Sequence, residues 1–214
     1  MAIFIGIDGM PGVGKGTQLN YFLAGREDRY GVVAVSGLLK QQIANNTELG
    51  QKAKSYMDAG QLVPDDLIIS MVISELAASE KIVFLDGFPR TVPQAKAMLE
   101  AGIVPTMVIE FYLEEEIILE RLRNRIVCPA CNASYNRVGV TRPKVDGICD
   151  KCGAELTRRK DDNEDVILKR FEVYHTQTHP CLKVFEDANI PLYRINTNDS
   201  ETAKKQLEEL MSTL

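Results

Sequence analysis

The sequence predicts an α/β protein built on a doubly wound, five-stranded parallel sheet with two insertions. Five short runs rich in β-branched or aromatic residues alternate with helical stretches along the 214 residues. The runs are apolar on both faces, as suits parallel strands covered by helices on each side. The first run also leads straight into a glycine-rich loop and then a helical pattern, a unit suited to holding phosphate.

Composition sets outer bounds. A hydrophobic share of 45% and a charged share of 26% describe a soluble globular chain with one substantial core. A net charge of −5 argues against general binding to nucleic acid or to an anionic membrane, yet permits a local cationic site. No apolar run approaches the roughly 20 residues of a membrane span. The opening MAIFIGIDG lacks the basic region and cleavage site of a signal peptide and reads as a buried strand. The expected compartment is therefore cytoplasmic, which disfavours disulfides.

Taken in order, the first strand covers Ile3 to Asp8 and the loop GMPGVGKGT covers Gly9 to Thr17. Its glycines allow a tight turn whose N–H groups point at an anion, with the positive end of the next helix behind them. Gly12, Val13, Gly14, Lys15, Gly16 and Thr17 form the cradle, and Lys15 reaches the terminal phosphates. The second strand covers Gly31 to Val35, and the pattern from Ser36 to Asp66 is helical with no strand of its own. The third strand, Lys81 to Asp86, ends in FLDGFPRTVPQA. Asp86 lies at the strand end where ligands gather in open sheets, placed to hold magnesium through water. Arg90 follows a turn set by Gly87 and Pro89, and its planar fork suits a phosphate.

The fourth strand covers Thr106 to Leu113 and the fifth Pro191 to Ile195. Between them EEEIILERLRNR is helical, so Arg121 and Arg125, four apart, are expected on one face, with Arg123 turned away. Asp161 and Glu164 are expected to form a capping box that opens the helix carrying Arg170. Arg123 and Arg158 read as solvated, His175 and His179 as structural, and Cys181 as a small buried hydrophobe.

The loop-rich stretch from Val127 to Asp162 holds Cys128, Cys131, Cys149 and Cys152 as C-x2-C-x17-C-x2-C. That spacing is within the range of four-cysteine zinc ribbons. Four thiolates close a tetrahedron and leave no position for water or phosphate, so the metal is expected to be structural. Iron in the same cage, or two disulfides, are the alternatives.

GMPGVGKGT, LDGFPRTVPQA, TELGQKAKSYMDAGQLVPDDL and LTRRKDD, in this order and spacing, resemble the adenylate kinases over essentially the whole chain. The cage resembles their long-lid subgroup, in which zinc ties the lid together. The resemblance implies a P-loop core (1–35, 66–126 and 163–214), an AMP-binding domain (36–65) and a lid (127–162). It implies reversible transfer of the terminal phosphoryl group of magnesium ATP to AMP, giving two ADP, by a monomer. Matching positions put Lys15 at the donor phosphates, Arg90 on the AMP phosphate, Gln94 near the AMP base and Asp86 in the magnesium network. Arg121, Arg125, Arg159 and Arg170 match the arginines around the donor and the transferring group, with Arg159 and Arg170 also facing AMP. Ser36, Lys40 and Gly87 complete the implied AMP site.

One stretch departs from the family. Its AMP-binding helix begins T-G-D-x-x-R, whereas this chain reads VSGLLKQQ, so Lys40 stands where the arginine is expected. A lysine lacks the two-point fork, and weaker AMP binding or a changed acceptor is expected. Ser36-Gly37 can match the start of that motif only if one residue is missing, and this gap also hides the residue that reads the acceptor base near Val35. A kinase for another monophosphate and a non-catalytic nucleotide-binding regulator are the competing readings.

Overall fold

A computed structural model describes residues 3–58, 63–139, 141–158 and 162–214. The first half runs β1 (Phe4–Asp8), α1 (Lys15–Leu23), β2 (Tyr30–Ala34), α2 (Val35–Ala44), α3 (Glu48–Asp58), α4 (Asp65–Ala78), β3 (Ile82–Asp86), α5 (Val92–Glu100) and β4 (Met107–Tyr112). The second runs α6 (Glu115–Arg123), β5 (Arg125–Val127), β6 (Ser134–Asn136), α7 (Glu164–Val173), a π-helical turn (Tyr174–Thr178), α8 (Cys181–Asp187), β7 (Leu192–Asn196) and α9 (Ser200–Met211).

The main sheet has the order β2-β3-β1-β4-β7, with every pair parallel. β1 sits in the middle, with Gly6 opposite both Leu85 and Val108. All five expected strands are present. The second is shifted: Val35 opens α2 instead of closing β2, because Ala34 is the extended residue that precedes the helix.

Alternation along the strands divides the core in two. Ile5, Ile7, Ile109 and Phe111 face one side, where Leu19, Phe22, Leu122, Ile167 and Leu207 cover them. Phe4, Val83, Leu85 and Val108 face the other, packed by Met71, Val72, Met98, Leu182 and Phe185. Each fully buried side chain of this size is worth about 1.5–3 kcal/mol, so both faces hold the sheet rigid beneath its loops.

β5 and β6 form a separate antiparallel pair. Isolated bridges from Val127 to Thr157 and from Ile148 to Glu155 complete the unit, whose buried centre is Ile126, Cys128, Cys149 and Leu156. Two of those four residues are cysteines, so apolar burial alone holds little of it together.

Two local expectations fail here. Arg121 and Arg125 do not share a helical face, since α6 ends at Arg123 and Arg125 begins β5. The reason is a competing set of partners for the carbonyls at the end of the helix and at its cap. Asn136 donates its side-chain amide to the Arg121 carbonyl at 2.9 Å, and the Arg137 N–H donates to that of Asn124 at 2.9 Å. α7 is capped by Asn163, whose side chain accepts the Val166 N–H at 2.9 Å, with Glu164 as the first helical residue. Asp161, the expected cap, lies outside the described residues. Among the described residues no helix is long and apolar enough to cross a membrane.

Candidate functional site

The glycine-rich loop is pressed into place by its neighbours. At Gly9, where φ is +140°, a Cβ would sit 2.3 Å from the Phe111 carbonyl oxygen. At Gly12, where φ is +93°, it would sit 2.7 Å from the Leu122 side chain. Only glycine fits a left-handed backbone this close to β4 and α6. Buried Val13 is clamped at its carbonyl, which accepts the Thr197 hydroxyl at 2.7 Å and Nη1 of Arg121 at 3.3 Å. Nη2 of Arg121 reaches the Thr197 carbonyl at 2.9 Å, so this arginine stitches the loop to the end of β7.

Lys15 opens α1 and folds back on the loop, bonding the carbonyls of Gly9 and of Met10, the latter at 3.2 Å. Burial lowers its pKa; the charges of Asp86 and then Asp8 oppose that, while Arg90 and Arg170 reinforce it. Lys15, Asp86 and Arg90 thus follow directly on the carboxyl ends of β1 and β3, within electrostatic reach of Arg170 on α7. Gly14 and Thr17 are half-buried beside it, and Gly16 is exposed.

Exposed Arg90 donates Nε to the Gly87 carbonyl at 2.8 Å, and its backbone N–H donates to Oε1 of Gln94 at 2.8 Å. Nε2 of Gln94 in turn donates to Oδ1 of Asp65 at 2.7 Å. The Thr178 hydroxyl donates to the Arg90 carbonyl at 3.0 Å, so the π-helical turn braces this segment. Lys40 is exposed on α2, while the Ser36 side chain and all of Arg159 lie outside the described residues.

Arg125 turns to Asp162, donating Nε to Oδ2 at 2.7 Å and Nη2 to Oδ1. Asp162 is fully buried, and Nη2 of Arg158 donates to its carbonyl at 2.6 Å. Arg158 and Arg123 are exposed, as expected, and Arg123 makes a surface pair with Glu164 at 2.6 Å. His175 pairs with Glu115 at 2.6 Å and His179 lies 3.7 Å from Glu110, in keeping with structural roles. Burial pushes the Cys181 thiol up to about 12.

Asp8, Asp65, Asp162, Tyr174 and Thr197 were missed by local reading. Asp8 carried a signal, as the one acid in an apolar strand. The others touch their partners only through the tertiary fold.

All five cysteines are free thiols, so the disulfide alternative is not realised. The sulfurs of Cys128, Cys131, Cys149 and Cys152 lie within 4.8 Å of one another, a four-thiol cluster able to hold a metal ion. The Tyr135 hydroxyl lies 3.4 Å from the Cys149 sulfur and is the main cause that brings its pKa down to about 6. The N–H of Cys131 lowers that of Cys128 in the same way. These two shifts favour the thiolate, whereas the Cys131 thiol is raised and that of Cys152 is pushed up to about 12 by hydrogen bonding to the neighbouring sulfurs, so the protons of the cluster collect on Cys131 and Cys152.

A parallel doubly wound sheet, a phosphate loop at the end of its central strand and converging cations define a P-loop nucleotide-binding protein. The adenylate kinase family profile matches residues 7–190. The chain is 38% identical to an adenylate kinase of Caldicellulosiruptor saccharolyticus over 94% of this chain and 96% of the relative. It is 37% identical to one of Clostridium tetani and 40% to one of Desulforudis audaxviator, each over 96% of this chain and 97% of the relative. The chain belongs to the adenylate kinase family.

Proposed function

We propose that the chain moves the terminal phosphoryl group of magnesium ATP to AMP, reversibly giving two ADP, through the residues clustered at its phosphate loop. Lys15 folded back on the glycine-rich loop, with Asp86 and Arg90 at the neighbouring end of β3, carries this reading. Lys15 and the loop N–H groups from Gly12 to Thr17 hold the donor phosphates, with Arg121 fixing the loop's position. Arg90 holds the acceptor phosphate, beside Gly87 in its turn, and Gln94 faces the acceptor base. Residues 36–65, with Ser36 and Lys40, form the rest of the AMP site.

Charge spreads over the equatorial oxygens as the phosphoryl group moves, and catalysis is mainly alignment and electrostatic stabilisation. No general base is needed, because the acceptor is already a phosphate anion. Arg125, Arg159 and Arg170 stabilise the transferring group as the lid (127–162) closes and excludes water. Asp86 would hold a magnesium ion through water, and that ion would supply neutralising charge to the donor phosphates.

The cage fits zinc. A zinc–sulfur bond of about 2.3 Å in a tetrahedron puts sulfurs roughly 3.8 Å apart. Two of the contacts here, Cys128 to Cys152 at 3.4 Å and Cys131 to Cys149 at 3.5 Å, approach that spacing. Bound there, zinc shapes the lid and takes no part in the reaction. The protein works as a monomer.

ADP formation from magnesium ATP with AMP, UMP, CMP, GMP and no acceptor tests the reading. A clear preference for AMP is expected. Preference for another monophosphate would move the specificity, and ATP binding without transfer to any acceptor would sink the catalytic assignment.

A further inference from the structure

Gln94 lies in the first turn of α5, where its N–H donates to the capping Thr91 hydroxyl at 3.3 Å. Its side-chain amide is held at both ends. Oε1 accepts the Arg90 backbone N–H at 2.8 Å, and Nε2 donates to Oδ1 of Asp65 at 2.7 Å. A backbone N–H can only donate and a carboxylate can only accept, so the two partners together decide which end of the amide is oxygen. Turned over, the amide would set N–H against N–H at Arg90 and oxygen against oxygen at Asp65.

The two contacts use one N–H and one lone pair, leaving one donor and one acceptor side by side for a ligand. A 6-aminopurine offers an exocyclic N–H beside an acceptor ring nitrogen, which pairs with an amide in one orientation. A 6-oxopurine offers a carbonyl beside a ring N–H. Donor and acceptor are exchanged, and that edge pairs only with the amide turned over.

We propose that Asp65 is a specificity-determining positioning residue, which holds Gln94 so that the acceptor site selects 6-aminopurine over 6-oxopurine monophosphates. The inference rests on the placing of Gln94 at the acceptor base in the function proposed above. Asp65 is half-buried in the first turn of α4, while its neighbour Asp66 is exposed and makes no contact with Gln94 among the hydrogen bonds of the described residues. Asp66 therefore serves as a control for helix-terminal charge alone.

AMP and IMP differ only in this donor–acceptor edge. For the intact chain and for Asp65→Ala, Asp65→Asn and Asp66→Asn, kcat and KM would be measured with both acceptors. Titration calorimetry would give the Kd of each in parallel. Asp65→Ala should lower the AMP-to-IMP preference about ten-fold, through KM and Kd, with kcat for AMP and KM for ATP retained. Asp65→Asn should fall between, since its amide can meet Gln94 with either end, and Asp66→Asn should keep the original ratio. A ratio within about two-fold of the unmodified chain in both Asp65 variants would overturn the proposal, as would an equal loss in Asp66→Asn. If the unmodified chain transfers to no acceptor, the proposed function fails on that result, and the ratio of binding constants still decides the role of Asp65.

Discussion

The Tyr174 hydroxyl donates a 2.7 Å hydrogen bond to Oδ2 of Asp8. It ties the turn that follows the Arg170 helix to the last residue of β1, directly before the phosphate loop. Burial pushes Tyr174 above its ordinary range, with the charge of Asp8 adding to the effect. Asp8 is raised as well, chiefly by burial; Tyr174, Lys15 and the Gly9 N–H offset part of this, and Glu110 adds to it.

The pH dependence follows from that direction. An acid raised in the folded state keeps its proton while the unfolded chain ionises, starting from its ordinary value of 3.8. Asp8 therefore withdraws stability as pH rises toward its folded value, and the deficit persists above it. The amide introduced by Asp8→Asn would still accept the Tyr174 hydrogen bond without burying a charge. This variant should melt above the unmodified chain at about pH 7.5, with the gain shrinking toward about pH 4. A lower melting temperature at the higher pH would contradict the direction assigned to Asp8.

Asp162 is fully buried and the Arg125 side chain only 18% exposed, so this pair has little water to fall back on. Asp162→Ala should cost about 3 kcal/mol, because it leaves a guanidinium without its partner. Arg125→Lys, which keeps the charge but loses the fork, should cost less. Urea denaturation reads both, and equal or negligible losses would argue against the two-point contact.

With so small an apolar centre, the four-cysteine unit should depend on its metal. Cys131→Ser, or chelation, should lower bound zinc and melting temperature together while activity at moderate temperature persists until the unit unfolds. Loss of activity from an intact, metal-free unit would mean that the metal does more than shape it. Elemental analysis alongside calorimetry separates the cases.

Lys40 is exposed on α2, free to be replaced without disturbing the core. If one charge-assisted bond to the AMP phosphate is missing, the cost is about 1–2 kcal/mol, or roughly ten-fold in acceptor binding. Lys40→Arg should lower KM for AMP with kcat little changed. An unchanged or higher KM would remove Lys40 from the acceptor site.

Much of this protein was legible along the chain because its signals are local. The phosphate loop, the cysteine spacing and the apolar runs each depend on residues a few positions apart. The misreadings also have local causes. EEEIILERLRNR carries a helical pattern through Arg125, but the helix stops at Arg123, where Asn136 takes the Arg121 carbonyl and Arg137 that of the capping Asn124. Nothing within the run announces a competitor that arrives from a later strand.

The sequence by itself determined the parallel sheet, the phosphate loop at its centre and the four-thiol cage, since periodicity and turn chemistry act over short separations. Only the tertiary structure decided that Arg125 meets Asp162, that Asp65 holds Gln94 and that Tyr174 reaches Asp8 across 166 positions. Such pairings form where packed layers bring distant polar groups into shared burial. The cost of leaving those groups unsatisfied then selects their partners.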